Sequence, residues 1–422
     1  MKYDKIFMGS YNLHLINTDK FKTNTIEIDF RTKMNNDTTI RNLLKMVLLD
    51  SNANYKTEKE LVKETEKLYD LKLISSTSRI GTNSNMAFKM KFLDEKYTEE
   101  GMNEESILFL LDIIFNPNIK DNSFDQDVVN KCKEKLKKSI ISIKDNKLKY
   151  ALLKLFETTE NMPYSKNSYG DLQELEKIDG KNLYDYYKNM LKNDIIDVFV
   201  VGNIDNEKIK ELFKEKFKIE TFKKSNPSVL VEELPRRKKL ETFKEYDDVN
   251  QTQLTILCSL HDLTDYERQY VIRIYNEILG GSSNSMLFEN VREKNSLCYY
   301  INSDAKPYDN ILFIYSGISG ENIEKATKLI KKTMKDIENG NISDEVFSSS
   351  KETITSGIIA SMDNSNGIIN TYYAHELVGS ALFQERIENF NKVTKEDVVN
   401  VSKKISFYSI LTLEKGEENE DN

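Results

Sequence analysis

The 422-residue chain has no tryptophan, three histidines, three cysteines and five prolines. Cys132, Cys258 and Cys298 are odd in number and never close enough for a CxxC, which argues against a disulfide framework or a thiolate zinc knuckle. Five prolines and 15 glycines are too few for long flexible linkers or collagen-like and low-complexity segments. No run of about 18 apolar residues occurs, and the start MKYDKIFMGSYNLHLINTDKFK puts charges where a signal peptide needs an apolar core. No membrane is expected, and the expected address is a reducing cytoplasm. An excess of basic charge is missing too: 61 basic and 69 acidic residues, interspersed along the chain, give a net charge of −8, which argues against a nucleic-acid partner. The like-charge run is the tail Glu414–Asn422, where fraying is expected.

What is present is material for cores. Hydrophobic residues make up 39% of the chain, with 20 Phe and 22 Tyr, and the length calls for two or more domains. Asn24–Lys33 alternates like a strand, Thr39–Asp50 reads as a mostly apolar helix and Asn85–Leu93 as a strand. A helical pattern over Glu105–Pro117 stops at its proline, Asp125–Lys144 is amphipathic, and the helix Lys181–Leu191 runs into the strand Ile195–Asn203. The second half repeats the order, with a strand at Gln251–Leu260, a helix around Tyr266–Leu279, a strand at Ile311–Ile318, long helices and a last strand. The fold class is α+β.

Two local echoes point to an internal duplication. Ile114–Ile119 matches Ile337–Ile342 at an offset of 223, and Lys177–Lys188 matches Lys392–Lys403 at 215. In the second pair Asp179 and Thr394 stand at the N-cap, where a side-chain oxygen accepts from the first turn's free amides. Two homologous halves follow, 1–221 and 249–422, joined through Phe222–Asp248, which holds two of the five prolines.

ILGGSSNSMLFENVREKNSLCYY, Ile278–Tyr300, concentrates unusual features. Gly280 and Gly281 follow a helix, where a left-handed C-cap is expected, and Ser282–Ser285 offer caps for the next helix. Neither GxxxxGKS/T nor GxGxxG stands here after a strand, so a phosphate loop is not indicated. Leu287 and Val291, four apart, read as core. Arg292 and, seven positions on, Tyr299 could together hydrogen-bond a peptide carbonyl or carboxylate. Taken by themselves, the plainer reading is an Arg paired with Glu289 or Glu293 and a half-buried Tyr.

This stretch resembles GGGxSSRLFxxVREKxGLAY, a motif of the C-terminal half of the insulinase-like zinc peptidases, family M16. Asn42–Arg79 is similar to that family's metal-helix region, and Pro163–Asp205 to its segment running from the AYY helix to the AGN strand end. The resemblance covers nearly the whole chain, and includes a YfmF-like group associated with modification of elongation factor P. It implies two α/β-sandwich halves of the LuxS/MPP-like metallohydrolase type.

The family's chemistry rests on a helical HxxEH, two histidines binding zinc and a glutamate activating water, completed by a distal glutamate. Laid on that motif, this chain has Asn42, Lys45 and Met46, with Ser139 at the distal ligand. His375 begins an HExxH-like string but meets Gly379, and His14 and His261 have no partner histidine three or four away. An ammonium repels a cation and a thioether is a poor zinc ligand, so no metal and no hydrolysis are expected of this chain alone. The resemblance assigns Arg292 and Tyr299, with Gly280 and Gly281 of the same motif, to substrate binding. It further implies a zinc-bearing HxxEH partner and a heterodimer enclosing a peptide. A scaffold with no peptidase role, and an active peptidase with an unrecognised metal site, are the rival expectations.

Overall fold

The computed structural model describes residues 1–217 and 231–416 and divides into two units. The first comprises Met1–Ile141, residues 168–217 and Asp363–Tyr373; the second comprises Ser142–Asn167, residues 231–362 and residues 374–416. Of the expected connector, residues 222–230 lie outside the described residues, whereas Glu241–Asp247 is a strand. Residues 417–422 of the tail also lie outside them.

In the first unit the strands are β1 (Lys2–Phe7), β2 (Asn12–Asn17), β3 (Thr23–Lys33), β4 (Lys72–Ile80) and β5 (Asn83–Leu93). A short hairpin, β6 (Ile119–Lys120) and β7 (Ser123–Phe124), precedes β8 (Ile195–Gly202). The main sheet runs β1-β2-β8-β3-β5-β4, with β2 and β8 parallel and the other pairs antiparallel. Alternation sends Ile26, Ile28 and Phe30 of β3 into one core with Leu43, Leu44 and Val47 of the helix Thr38–Leu48.

The other face of β3 carries Glu27, Asp29 and Arg31, and it is buried as well. His14 Nε2 and Arg31 Nη2 lie 3.4 and 3.5 Å from the Asp197 carboxylate, and Lys89 Nζ lies 2.6 Å from Glu27. Charges in such a place must be paired. Asp29 accepts from Asn85 at 2.5 Å, and burial, reinforced by Glu27, pushes its carboxyl well above the usual range. The cover comes from the far end of the chain. In the helix Ser365–Val378, Ser365 Oγ accepts from Thr25 Oγ1 at 2.8 Å, Tyr372 lies against Tyr3 with ring centroids 4.3 Å apart and Tyr373 meets Phe199 at 6.3 Å.

The second unit holds β9 (Glu241–Asp247), β10 (Thr252–Leu260), β11 (Cys298–Lys306), β12 (Ile311–Ile318) and β13 (Ile405–Lys415), ordered β11-β12-β10-β13-β9. Here too a helix from the other half completes the core. Ala151 and Leu155 of Lys147–Glu157 join Leu257, Leu411 and Leu413, and Phe156 meets Phe313 edge-on at 5.2 Å. The two exchanged helices begin at Lys147 and Ser365, 218 positions apart, within the range of the sequence echoes. Both expected N-caps form full capping boxes, Asp179 with Asn182 and Thr394 with Asp397.

The helix expected around Tyr266–Leu279 is not regular. An α-helical turn, Ile272–Asn276, lies between π-helical turns Glu267–Val271 and Glu277–Gly281, and a third π turn spans Phe288–Glu293. Wide turns of this kind do not alter the apolar periodicity enough to be read from it.

Candidate functional site

The helix Thr38–Leu48 carries Asn42, Lys45 and Met46, the residues that the resemblance lays on the HxxEH motif. Its start is fixed by Arg41, whose buried guanidinium donates to Asp194 Oδ2 at 2.8 Å, Tyr186 OH at 3.1 Å and the Phe30 carbonyl at 2.5 Å. Thr39 Oγ1 donates to Glu174 and accepts from the Asp171 amide, which straps a loop across the helix. Gly170 makes this strap possible: its φ is +113°, and a Cβ there would stand 2.8 Å from Thr39 Oγ1.

Asn42 is buried, and both ends of its amide are engaged. Nδ2 donates to the Ser168 carbonyl at 2.9 Å, and Oδ1 accepts from Thr77 Oγ1 at 2.9 Å. The Thr77 oxygen accepts from Lys45 Nζ at 3.3 Å, and Met46 packs against the hydrophobic core. Burial lowers the Lys45 amine from 10.5 to about 8. Ser139, on the helix Gln126–Ile141, donates to its own helix at Lys135 O, 3.2 Å away.

This donor set does not fit zinc. Its amide oxygen is occupied, its amine is cationic until about pH 8 and its thioether is soft. Among the described residues no group of three or more His, Cys, Asp or Glu is arranged to hold a metal ion. The three histidines are also used otherwise: His14 by Tyr3 and Asp197, His261 by Ser259 and His375 by the Ser380 carbonyl.

The second site lies at the start of β11. Leu287 and Val291 are fully buried, as their spacing requires, and anchor the π turn that carries Arg292. Of the two expected partners, Glu289 is taken by Lys294 at 2.9 Å and Glu293 pairs with Arg292 at 3.7 Å, the guanidinium also lying over the Phe288 ring at 4.5 Å. Ser296, at φ 50°, turns the chain into β11. The β11–β12 register then slips between Cys298 and Tyr300, leaving Tyr299 as the bulged residue. A bulge re-aims a side chain, and Tyr299 is 77% exposed, not half-buried.

Gly280 and Gly281 do not adopt the expected left-handed cap. Gly280 is extended at φ −161°, inside a π turn. A Cβ on it would lie 2.7 Å from the Ser303 backbone nitrogen, and one on Gly281 would collide with the Glu277 carboxyl. Close packing on β11 accounts for Gly280, and contact with its own turn for Gly281. Nor does Ser285 cap a helix: its hydroxyl is buried without a hydrogen-bond partner.

Thr77, Ser168, Thr39 and Arg41 escaped the sequence reading. Thr77 comes from a strand and Ser168 from a loop far along the chain, and no local period ties either to Asn42.

Known proteins resemble this chain over most of its length. Residues 177–354 match the family described as Peptidase M16 inactive domain. The chain is 27% identical over 405 residues to the "Probable inactive metalloprotease YmfF" of Bacillus subtilis (strain 168), covering 94% of each. It is 25% identical over 245 residues to that organism's "Uncharacterized zinc protease YmxG", covering 56% of this chain and 57% of that one. A crystal structure of a peptidase M16 inactive domain from Pseudomonas fluorescens shares the fold, at TM-score 0.80 and 16% identity over 99% of both chains.

Proposed function

Since the chain is a member of the M16 peptidase family in which Asn42, Lys45 and Met46 replace HxxEH, we propose that it is the non-catalytic subunit of a zinc metallopeptidase pair. It closes a peptide-binding chamber with an HxxEH-bearing partner and presents peptide to the partner's zinc. The observation that carries this reading is a contrast within one chain. Asn42 and Lys45 are tied to one another through Thr77, while Tyr299 is exposed and Arg292 is partly exposed with Glu293 3.7 Å from its Nε. A guanidinium on the turn before β11 and a phenol on the bulged start of β11 each suit a peptide carbonyl or carboxylate. An unpaired edge supports the same reading: among the described strands β4 pairs with β5 alone, and such an edge can take an extended peptide by main-chain hydrogen bonds.

The zinc-protease name of a relative in the organism that also holds the inactive relative fits a division of labour. The test is peptidase activity and bound zinc for this chain alone and mixed with an HxxEH-bearing M16 chain from the same genome, in wild type and in Arg292→Ala plus Tyr299→Phe. Activity confined to the mixture, with one zinc per pair and loss in the double variant, is expected. Both residues reach solvent, so the double variant folds as the wild type does. A mixture equally active with the double variant, or chains that do not associate, would overturn the pairing. The scaffold reading would then take its place, favoured by a glycine pair that packing alone explains.

A further inference from the structure

We propose that Lys45 is a carboxylate-binding site, and that its ligand is the free α-carboxylate of a peptide lying along β4. The inference rests on the peptide-binding reading above but names a ligand group that reading does not require.

A lysine ammonium has three donors and no acceptor. Lys45 uses one, on Thr77 Oγ1 at 3.3 Å, and among the described residues no carboxylate lies within 4.0 Å of its Nζ. This is unusual company for a half-buried lysine, since charges withdrawn from water are ordinarily paired. Burial has lowered its amine to about 8, so at neutral pH it remains mostly an ammonium in a place that disfavours one. Met or Leu would fill the position without that cost. A positive charge that no described carboxylate pairs with, at the end of a hydrogen-bond chain that leaves two of its donors unused, suits an anionic ligand.

The lysine is also aimed. Asn42 donates to the Ser168 carbonyl, so its Oδ1 faces Thr77; Thr77 spends its one hydroxyl hydrogen on that Oδ1; the Thr77 oxygen is therefore left as an acceptor for Lys45. All three hydrogen bonds run in one direction, each polarising the next, and the ammonium stands at the open end. Thr77 belongs to β4, the free edge of the sheet. A peptide pairing with that edge passes the ammonium, and a chain end at this point offers two oxygens to its unused donors. An internal peptide bond offers one neutral carbonyl there, a weaker partner.

The experiment uses the full chain and an N-terminally fluorescein-labelled, mixed-sequence octapeptide pool, made once with a free C-terminal carboxylate and once as the carboxamide. Fluorescence anisotropy at pH 7 is expected to show the carboxylate pool binding roughly tenfold or more tighter, as a charge-assisted hydrogen bond supplies. The preference is expected to vanish in Lys45→Met and to survive in Lys45→Arg. Independently, in protein labelled with 13C-lysine and followed at the Lys45 ε-carbon, N-acetylglycine should raise the titration midpoint of Lys45 and N-acetylglycinamide should not. Equal affinity for both pools, or a preference retained by Lys45→Met, overturns the carboxylate site and leaves peptide binding standing. If neither pool binds while N-acetylglycine still shifts Lys45, the site stands and the peptide reading falls. If neither effect is seen, both fall.

Discussion

Replacing Lys45 by methionine should make the protein more stable at pH 7. In the unfolded chain the lysine keeps its proton up to its usual 10.5, whereas in the fold it releases it near 8. Between those values the unfolded chain binds more proton, so native stability rises with pH across the window, and the penalty is present in full below about 8. The displacement, at about 1.36 kcal/mol per pKa unit, has a ceiling of about 3 kcal/mol. Water reaching the half-buried amine reduces this to on the order of 1–2 kcal/mol. Methionine keeps the stem's packing, and Thr77 retains its bond to Asn42. The assay is urea unfolding of both proteins by circular dichroism at several pH values from 7 to 10; with no tryptophan in the chain, indole fluorescence is not an option. Wild type minus variant should show the variant ahead by that amount at pH 7, with its advantage shrinking toward pH 10. A less stable variant at pH 7, or a difference that ignores pH, would refute the reasoning.

Two other substitutions probe the supports of the candidate sites. Arg41→Met removes one donor from the buried Asp194 carboxylate and one from the Phe30 carbonyl, and should cost about 3–5 kcal/mol in the same unfolding assay. Gly280→Ala sets a methyl 2.7 Å from the Ser303 backbone nitrogen, which should destabilise by about 1–3 kcal/mol.

Wherever a local period decided the matter, the sequence was readable. The β3 alternation, the buried Leu287 and Val291, and the N-caps Asp179 and Thr394 all followed from spacing and side-chain chemistry. The lack of an HxxEH string was readable as well, because it is a matter of residue identity alone. What stayed hidden depends on partners remote in sequence. Nothing in TNTIEIDFRTK says that its charged side is buried, since an alternating strand ordinarily leaves that side to water. The bond from Thr77 to Asn42 spans unrelated segments. The outward turn of Tyr299 depends on a register slip, which only the pairing of β11 with β12 defines.

The exchange of helices between the halves sets an order of events during synthesis. The first sheet is complete in sequence once Gly202 has left the ribosome, but the helix that covers its charged face starts at Ser365, more than 160 residues later. At roughly 5–20 residues per second that is a wait on the order of ten seconds or more. An apolar surface left open for so long would invite aggregation; Glu27, Asp29, Arg31, Asp197 and Lys89 can stay hydrated until their cover arrives. The reverse debt is smaller, since the Lys147–Glu157 helix, made first, holds only a narrow stripe with Ala151 and Leu155 at its centre until the second sheet forms. On this view the charged interior of the first unit is a surface suited to waiting in water, and a chain stopped after its first half would keep it wet permanently.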